Sequence, residues 1–253
     1  MLTKAHVVKP KEGYEHAYTI ILLHGRGSDS EEFSSEFFES EASAPVDQPR
    51  TLRDLFPAVR WGFPSSPVTL SKRFGCMESQ WFDMWSTEEP NSQPEIQVAG
   101  LKQSMQLVFD VVEQEAAILP RDRIFLGGVS QGFAAAYCAY AIGQKGYAGL
   151  IGLCSWAPLP ALALIKGNFV EVPAESRRKH PISVLLGHSR DDAVIPIEEG
   201  RKLRDVLVDR GDTIVEFHEY RQGGHWVNEP QGIDDIVAFL RRCMIRERWT
   251  ESS

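Results

Sequence analysis

Apolar residues follow two rhythms along this chain, and the switches between them predict its architecture. Residues 17–23 (AYTIILL) are an unbroken apolar run that stops at HGRGS, as a strand buried on both faces does. Short runs at 124–128 (IFLGG), 148–154 (AGLIGLC) and 182–187 (ISVLLG) predict three more such strands. Residues 213–220 (TIVEFHEY) alternate like a strand with one covered face, and 59–63 (VRWGF) predict a short strand stopped by Pro64. Between the strands the spacing changes to three and four. Val98, Leu101, Met105, Val108, Val112 and Ala116 predict a helix over 95–119, ended by Pro120. Residues 130–142 read as an Ala-rich helix closed by Gly143. Ile197, Leu203 and Leu207 point inward from a helix over 196–210 that carries Pro196 near its first turn. A last helix, 230–247, turns Ile233, Ile236, Val237, Leu240 and Met244 inward. The acidic, Ser-rich stretch 29–56 carries Phe33, Phe37, Phe38, Leu52, Leu55 and Phe56, and one or two helices are expected there. Residues 64–94 hold Pro, Ser, aromatics and Met with no clean period, and predict a long loop of the kind that is usually functional.

Strands alternating with helices from residue 17 onward mean an α/β fold: a mostly parallel central sheet with helices on both faces. No linker, repeat or low-complexity tract breaks the pattern. One domain over 1–253 is therefore expected, although roughly 150 residues per domain also allows two.

Composition narrows the function classes. With 43% hydrophobic and 25% charged residues the chain has enough apolar surface to fold, which excludes a disordered protein. A net charge of -8 gives no attraction to phosphate, so nucleic acid is not an expected partner. The 4 cysteines show neither CxxC nor Cys/His ligand spacing, so no disulfide framework and no metal are expected. Cys138 and Cys154 lie in apolar runs and read as small buried hydrophobes. The start lacks a secretory apolar run, and no stretch of about 18 apolar residues is present to span a membrane. A reducing, cytoplasmic setting is expected.

Chemistry enters at residues 128–132, Gly-Val-Ser-Gln-Gly. This GxSxG pattern arises by chance in about one chain in ten of this length, but here a predicted strand precedes it and a predicted helix follows. That setting makes Ser130 a candidate nucleophile on a sharp strand-to-helix turn; the alternative is a Ser that merely caps the helix. A Ser hydroxyl needs a base, and the base an orienting carboxylate. The expected chain order is Ser, acid, His, each at the C-terminal end of a strand. His225, after strand 213–220, stands where the base belongs. His180 is at the wrong end of a strand, His188 precedes the acid candidates, and His218 falls inside a strand. Asp191 and Asp192 both follow strand 182–187, and order alone does not choose between them. For an oxyanion hole, the Gln131 N–H at the helix N-terminus and the Arg26 N–H in the glycine loop HGRG are the expected donors. His24 reads as a structural residue of that loop.

LHGRGS, FPSSPVTL, QWFDMW, RIFLGGVSQGFAAA, HSRDDAVIP and GGHW occur in this order. Together they resemble the acyl-protein thioesterase/phospholipase-carboxylesterase family of α/β hydrolases, over about residues 17–245. The resemblance implies an α/β-hydrolase fold with no large cap domain and no cofactor. It implies Asp192 as the acid, because Asp192-Ala193-Val194-Ile195-Pro196 fits the family's register. It also implies a substrate that is an acyl ester or thioester, such as an S-acylated protein or a lysophospholipid, and a monomer or homodimer. In the family the segment matching 64–94 overlies an acyl channel. Leu70, Phe74, Met77, Trp81, Phe82 and Met84 are its candidate lining, with Val194 and Trp226 beside the acid and base. Trp81 and Phe82 equally fit ordinary core, whereas Phe74 and Met77, amid polar neighbours, fit substrate contact.

Two positions depart from the family. Arg26 stands where a Leu is usual, and reads either as a receptor for an anionic group or as a solvated side chain. Trp226 replaces a small or polar residue. Both departures favour, as an alternative, a small-molecule carboxylesterase without a protein substrate. A non-catalytic binding protein and a peptidase on the same fold are the remaining readings.

Overall fold

The computed structural model describes residues 5–143, 146–166 and 181–250; His180 lies outside them. The strands are β1 (Ala5–Val8), β2 (Tyr18–Leu23), β3 (Val59–Pro64), β4 (Val68–Ser71), β5 (Cys76–Ser79), β6 (Ile124–Val129), β7 (Gly149–Leu153), β8 (Ile182–Ser189) and β9 (Thr213–Tyr220). The helices are α1 (Ser30–Glu39), α2 (Leu52–Leu55), α3 (Pro94–Ala116), α4 (Gln131–Ile142), α5 (Leu159–Lys166), α6 (Ile197–Asp209) and α7 (Gln231–Thr250).

Seven strands form one sheet in the order β1-β3-β2-β6-β7-β8-β9. Every neighbouring pair is parallel except β1 with β3. The period of two explains why β2 reads as a continuous apolar run. Ile21 and Leu23 enter the core shared with α3, α4, α5 and α6, while Ile20 and Leu22 enter the core shared with α1, α2 and α7. All four are buried, each contributing about 1.5–3 kcal/mol of apolar burial.

Three features depart from the sequence expectation. The stretch 64–94 is not all loop: β4 and β5 pair as a hairpin, with Leu70 opposite Met77 and Gly75 at φ 65 in the turn. Four-residue strands with exposed side chains leave too little alternation to detect. β1 was not predicted either, being four half-buried residues on the sheet edge. Helix α5 lies in an apolar stretch that carries no polar face to mark a period. Among the described residues, no helix is long and apolar enough to cross a membrane.

Parallel strands bring their C-terminal ends to one edge of the sheet. The loops after β2, β6, β8 and β9 therefore converge on one crevice, where ligands bind in open α/β sheets.

Candidate active site

Ser130 joins β6 to α4 in a conformation few non-glycine residues adopt, φ 54 and ψ -125. The two glycines around it explain how the turn is reached. A β-carbon at Gly128 would lie 2.6 Å from the Leu23 carbonyl oxygen, and one at Gly132 would overlap the same oxygen. Bonds from the Ser130 N–H to Leu153 O (2.8 Å) and from Ser155 Oγ to Ser130 O (2.7 Å) hold the turn. The Ser130 side chain opens into a cleft of about 750 Å³ that also receives His225, Arg26, Phe74, Met77, Val194 and Trp226.

Behind His225 lies Asp192, whose Oδ2 is 2.7 Å from His225 Nδ1. A carboxylate only accepts, so Nδ1 carries the proton and Nε2 is left to accept from a hydroxyl. Asp192 Oδ1 accepts the N–H groups of Val194 (2.8 Å) and Ile195 (2.9 Å). Burial works to raise the Asp192 pKa, but hydrogen bonds from His188 and His225, the His225 charge and the Ile195 N–H outweigh it. They hold the carboxyl well below the usual carboxylate range. Asp191 does separate work: its exposed carboxylate accepts the N–H groups of Gly223 (3.4 Å) and Gly224 (2.9 Å), the two residues before His225. Of the two aspartates, Asp192 is the one whose carboxylate meets the His225 ring.

The glycine loop after β2 is pinned from beneath. His24 is fully buried; its Nε2 accepts from the Ser66 N–H at 3.0 Å, so Nδ1 carries the proton and donates to Gly25 O at 2.7 Å. Burial lowers its pKa, consistent with a neutral ring. Gln131 braces the neighbouring segment with its side chain, accepting from Trp81 N and donating to Phe82 O, both at 2.8 Å. Its N–H sits at the start of α4, where helix amides lack intrahelical partners.

Three expected lining residues are elsewhere. Trp81 is fully buried, donates from Nε1 to His24 O at 2.8 Å and packs on the His24 ring, so it supports the glycine loop from the core. Leu70 is exposed on β4 and lies outside the cleft. Phe82 is likewise core, whereas Met84 lines the cleft. Arg26 corrects both readings of its side chain. It is neither an unpaired side chain in solvent nor free to receive an anion, because its guanidinium pairs with Glu78 on β5 (2.5 Å), donates to Ser71 Oγ (3.2 Å) and lies over Phe74. Trp226 stands edge-on to Phe33. Phe33 and Glu36 of α1 also line the cleft and were missed, since the distance along the chain hides that α1 flanks the His225 loop.

Among the described residues, Cys154, Asp192 and His225 form the one cluster with metal-ligand chemistry, their atoms within 4.8 Å of one another. The donor set does not fit an ion. Burial, with the Asp192 charge, pushes the Cys154 thiol up to about 12, and the thiol donates to Trp226 O. The Asp192 oxygens are already occupied.

A parallel sheet with helices on both faces, a Ser on a strained strand-to-helix turn and a His–Asp pair on later loops define an α/β hydrolase. The chain belongs to the phospholipase/carboxylesterase family, whose model matches residues 2–244. That makes it a hydrolase of ester or thioester bonds. It is 27% identical to acyl-protein thioesterase 1 of Mycosarcoma maydis, over 95% of this chain and 97% of the relative. It is 26% identical to acyl-protein thioesterase 1 of Cryptococcus neoformans, over 94% and 96%. In fold it is similar to acyl-protein thioesterase 2 of Zea mays, with TM-score 0.70, 24% identity, and 96% and 99% of the two chains covered.

Proposed function

We propose that this chain is a serine hydrolase that cleaves acyl esters or thioesters through an acyl-enzyme on Ser130. The observation that carries the reading is the strained Ser130 turn opening into the same cleft as His225, with Asp192 behind the imidazole. Ser130 Oγ attacks the acyl carbonyl carbon while His225 Nε2 takes its proton. The carbonyl oxygen becomes an oxyanion facing the N–H groups of Arg26 and Gln131. Collapse expels the alcohol or thiol, which receives the proton from His225. Water, deprotonated by His225, then attacks the acyl-enzyme and releases the acid. Phe74, Met77, Val194 and Trp226 contact the acyl chain.

The names of the relatives support an S-acylated protein as substrate, and the four free thiols fit a reducing cytoplasm. A small carboxylic ester is the second reading. It is favoured by Trp226, whose indole packs edge-on to Phe33 where both line the cleft.

Hydrolysis of butyryl to palmitoyl thioesters and oxygen esters, with Ser130→Ala as control, tests this. Rates that rise with chain length, are highest on thioesters and vanish in Ser130→Ala support the first reading. Preference for butyryl esters selects the second, and no turnover by the folded protein rejects both.

A further inference from the structure

His188 has no part in the steps above, yet it is built into the site. It sits on β8 four residues before Asp192, with 1% of its surface exposed. Its Nε2 is 3.1 Å from Asp192 Oδ2 and 3.0 Å from the Ile195 carbonyl oxygen. Both neighbours only accept, so Nε2 carries a proton shared between them. The Asp192 carboxylate then has four donors: Val194 and Ile195 N–H on Oδ1, His188 and His225 on Oδ2. Among the described residues, the ring nitrogen that shares this oxygen with His225 is that of His188.

The neighbouring helix is shaped around this ring. Gly200 lies inside α6, where glycine weakens a helix relative to alanine. A β-carbon there would overlap His188 Nδ1. The helix therefore carries its least favourable ordinary residue at the point where His188 needs room.

We infer that His188 is a positioning residue for the Ser130–His225–Asp192 triad: its Nε2–H holds Asp192 Oδ2 in place for the His225 Nδ1–H. The inference rests on the triad proposed above. With His188 removed, Oδ2 keeps one donor, the carboxylate turns more freely, and the His225 ring loses its fixed orientation. The step that suffers is proton transfer from Ser130, so kcat falls while KM stays near its wild-type value.

Full-length His188→Leu, His188→Gln and Gly200→Ala proteins test this by steady-state kinetics on the best acyl ester. Proton NMR of the hydrogen-bonded His225 Nδ1–H gives a second readout. His188→Leu should lower kcat about tenfold to a hundredfold, as loss of a hydrogen bond to a charged group does. KM should stay within about twofold. His188→Gln, whose amide N–H reaches the same oxygen, should restore most of kcat, and Gly200→Ala should follow the Leu variant. The downfield His225 resonance should weaken in His188→Leu and return in His188→Gln. Unchanged kcat and resonance in a folded Leu variant overturn the inference. Equal losses in Leu and Gln do so too, since they make His188 a packing residue. Should the Leu variant not fold, His188→Asn, too short to reach Oδ2, takes its place with the same two outcomes. If the wild type hydrolyses no acyl ester the proposed function fails, while the resonance still decides the role of His188.

Discussion

The two walls of the cleft are held by opposite means. One carries Asp192 and His225 on loops at the ends of β8 and β9. There Asp192 is buried, each of its oxygens has two donors, and the residues before His225 are tied down by Asp191. The other wall is the β4–β5 hairpin, which exposes Val68, Leu70, Phe74 and Met77. It is joined to the glycine loop by the part-exposed Arg26–Glu78 pair and by bonds between backbone and Ser79. A buried charge must be matched atom by atom, because an unpaired one costs several kcal/mol. A part-exposed ion pair is worth about 1 kcal/mol or less. The first wall suits chemistry, which needs fixed distances. The second suits a variable apolar substrate, which needs adaptable contacts.

The contrast orders the expected effects. Asp192→Asn should lower kcat about ten-thousandfold, as replacing a triad carboxylate does by favouring the wrong imidazole tautomer. It should also change acid stability. The Asp192 carboxyl titrates below its ordinary 3.8 when folded, so its stabilisation is present at neutral pH and is lost as pH falls through about 4 and below. Thermal melts from pH 7 to 3 should therefore show a steeper loss for the wild type than for Asp192→Asn; parallel curves would contradict the assignment.

Trp81→Ala tests where the hairpin wall ends and the core begins. Removing a fully buried indole should cost about 3–5 kcal/mol, read by denaturant unfolding. A loss confined to KM, with stability intact, would return Trp81 to the substrate channel. Phe74→Ala should raise KM for long acyl chains about fivefold, the worth of ~1 kcal/mol of apolar contact, with kcat held. Leu70→Ala, a truncation outside the cleft, should leave KM unchanged. The smallest effect belongs to Glu78→Gln. It should cost less than ~1 kcal/mol in stability. By freeing Arg26, it should lower KM for an acyl ester with a distal carboxylate by about twofold to fivefold. A higher KM for that substrate would show that the pair holds the hairpin rather than masking a cation.

The parallel strands were legible because each is an apolar run buried on both faces, and the long helices because three-and-four spacing persists over several turns. The short elements were not: β1, β4 and β5 are four residues each, too few for a period to declare itself. GxSxG was readable because the backbone of the turn restricts residue type directly, as the Leu23 carbonyl beside Gly128 and Gly132 shows. Chain order excludes His188 as the base and says nothing of a second role. Its spacing of four from Asp192 at a strand end was the available signal for its contact with the acid.

From sequence alone came the alternation of strand and helix, the sheet type, the Ser130 turn and the loops that carry Asp192 and His225. These follow from local backbone demands and from burial, which act on residues close together in the chain. Tertiary structure decided what depends on residues far apart. It set Trp81 beneath His24 rather than in the cleft, spent the Arg26 charge on Glu78, and brought Phe33 against Trp226. A side chain's charge and size are written in the sequence, but the partner that neutralises or covers it is chosen only when the sheet brings distant loops to one edge.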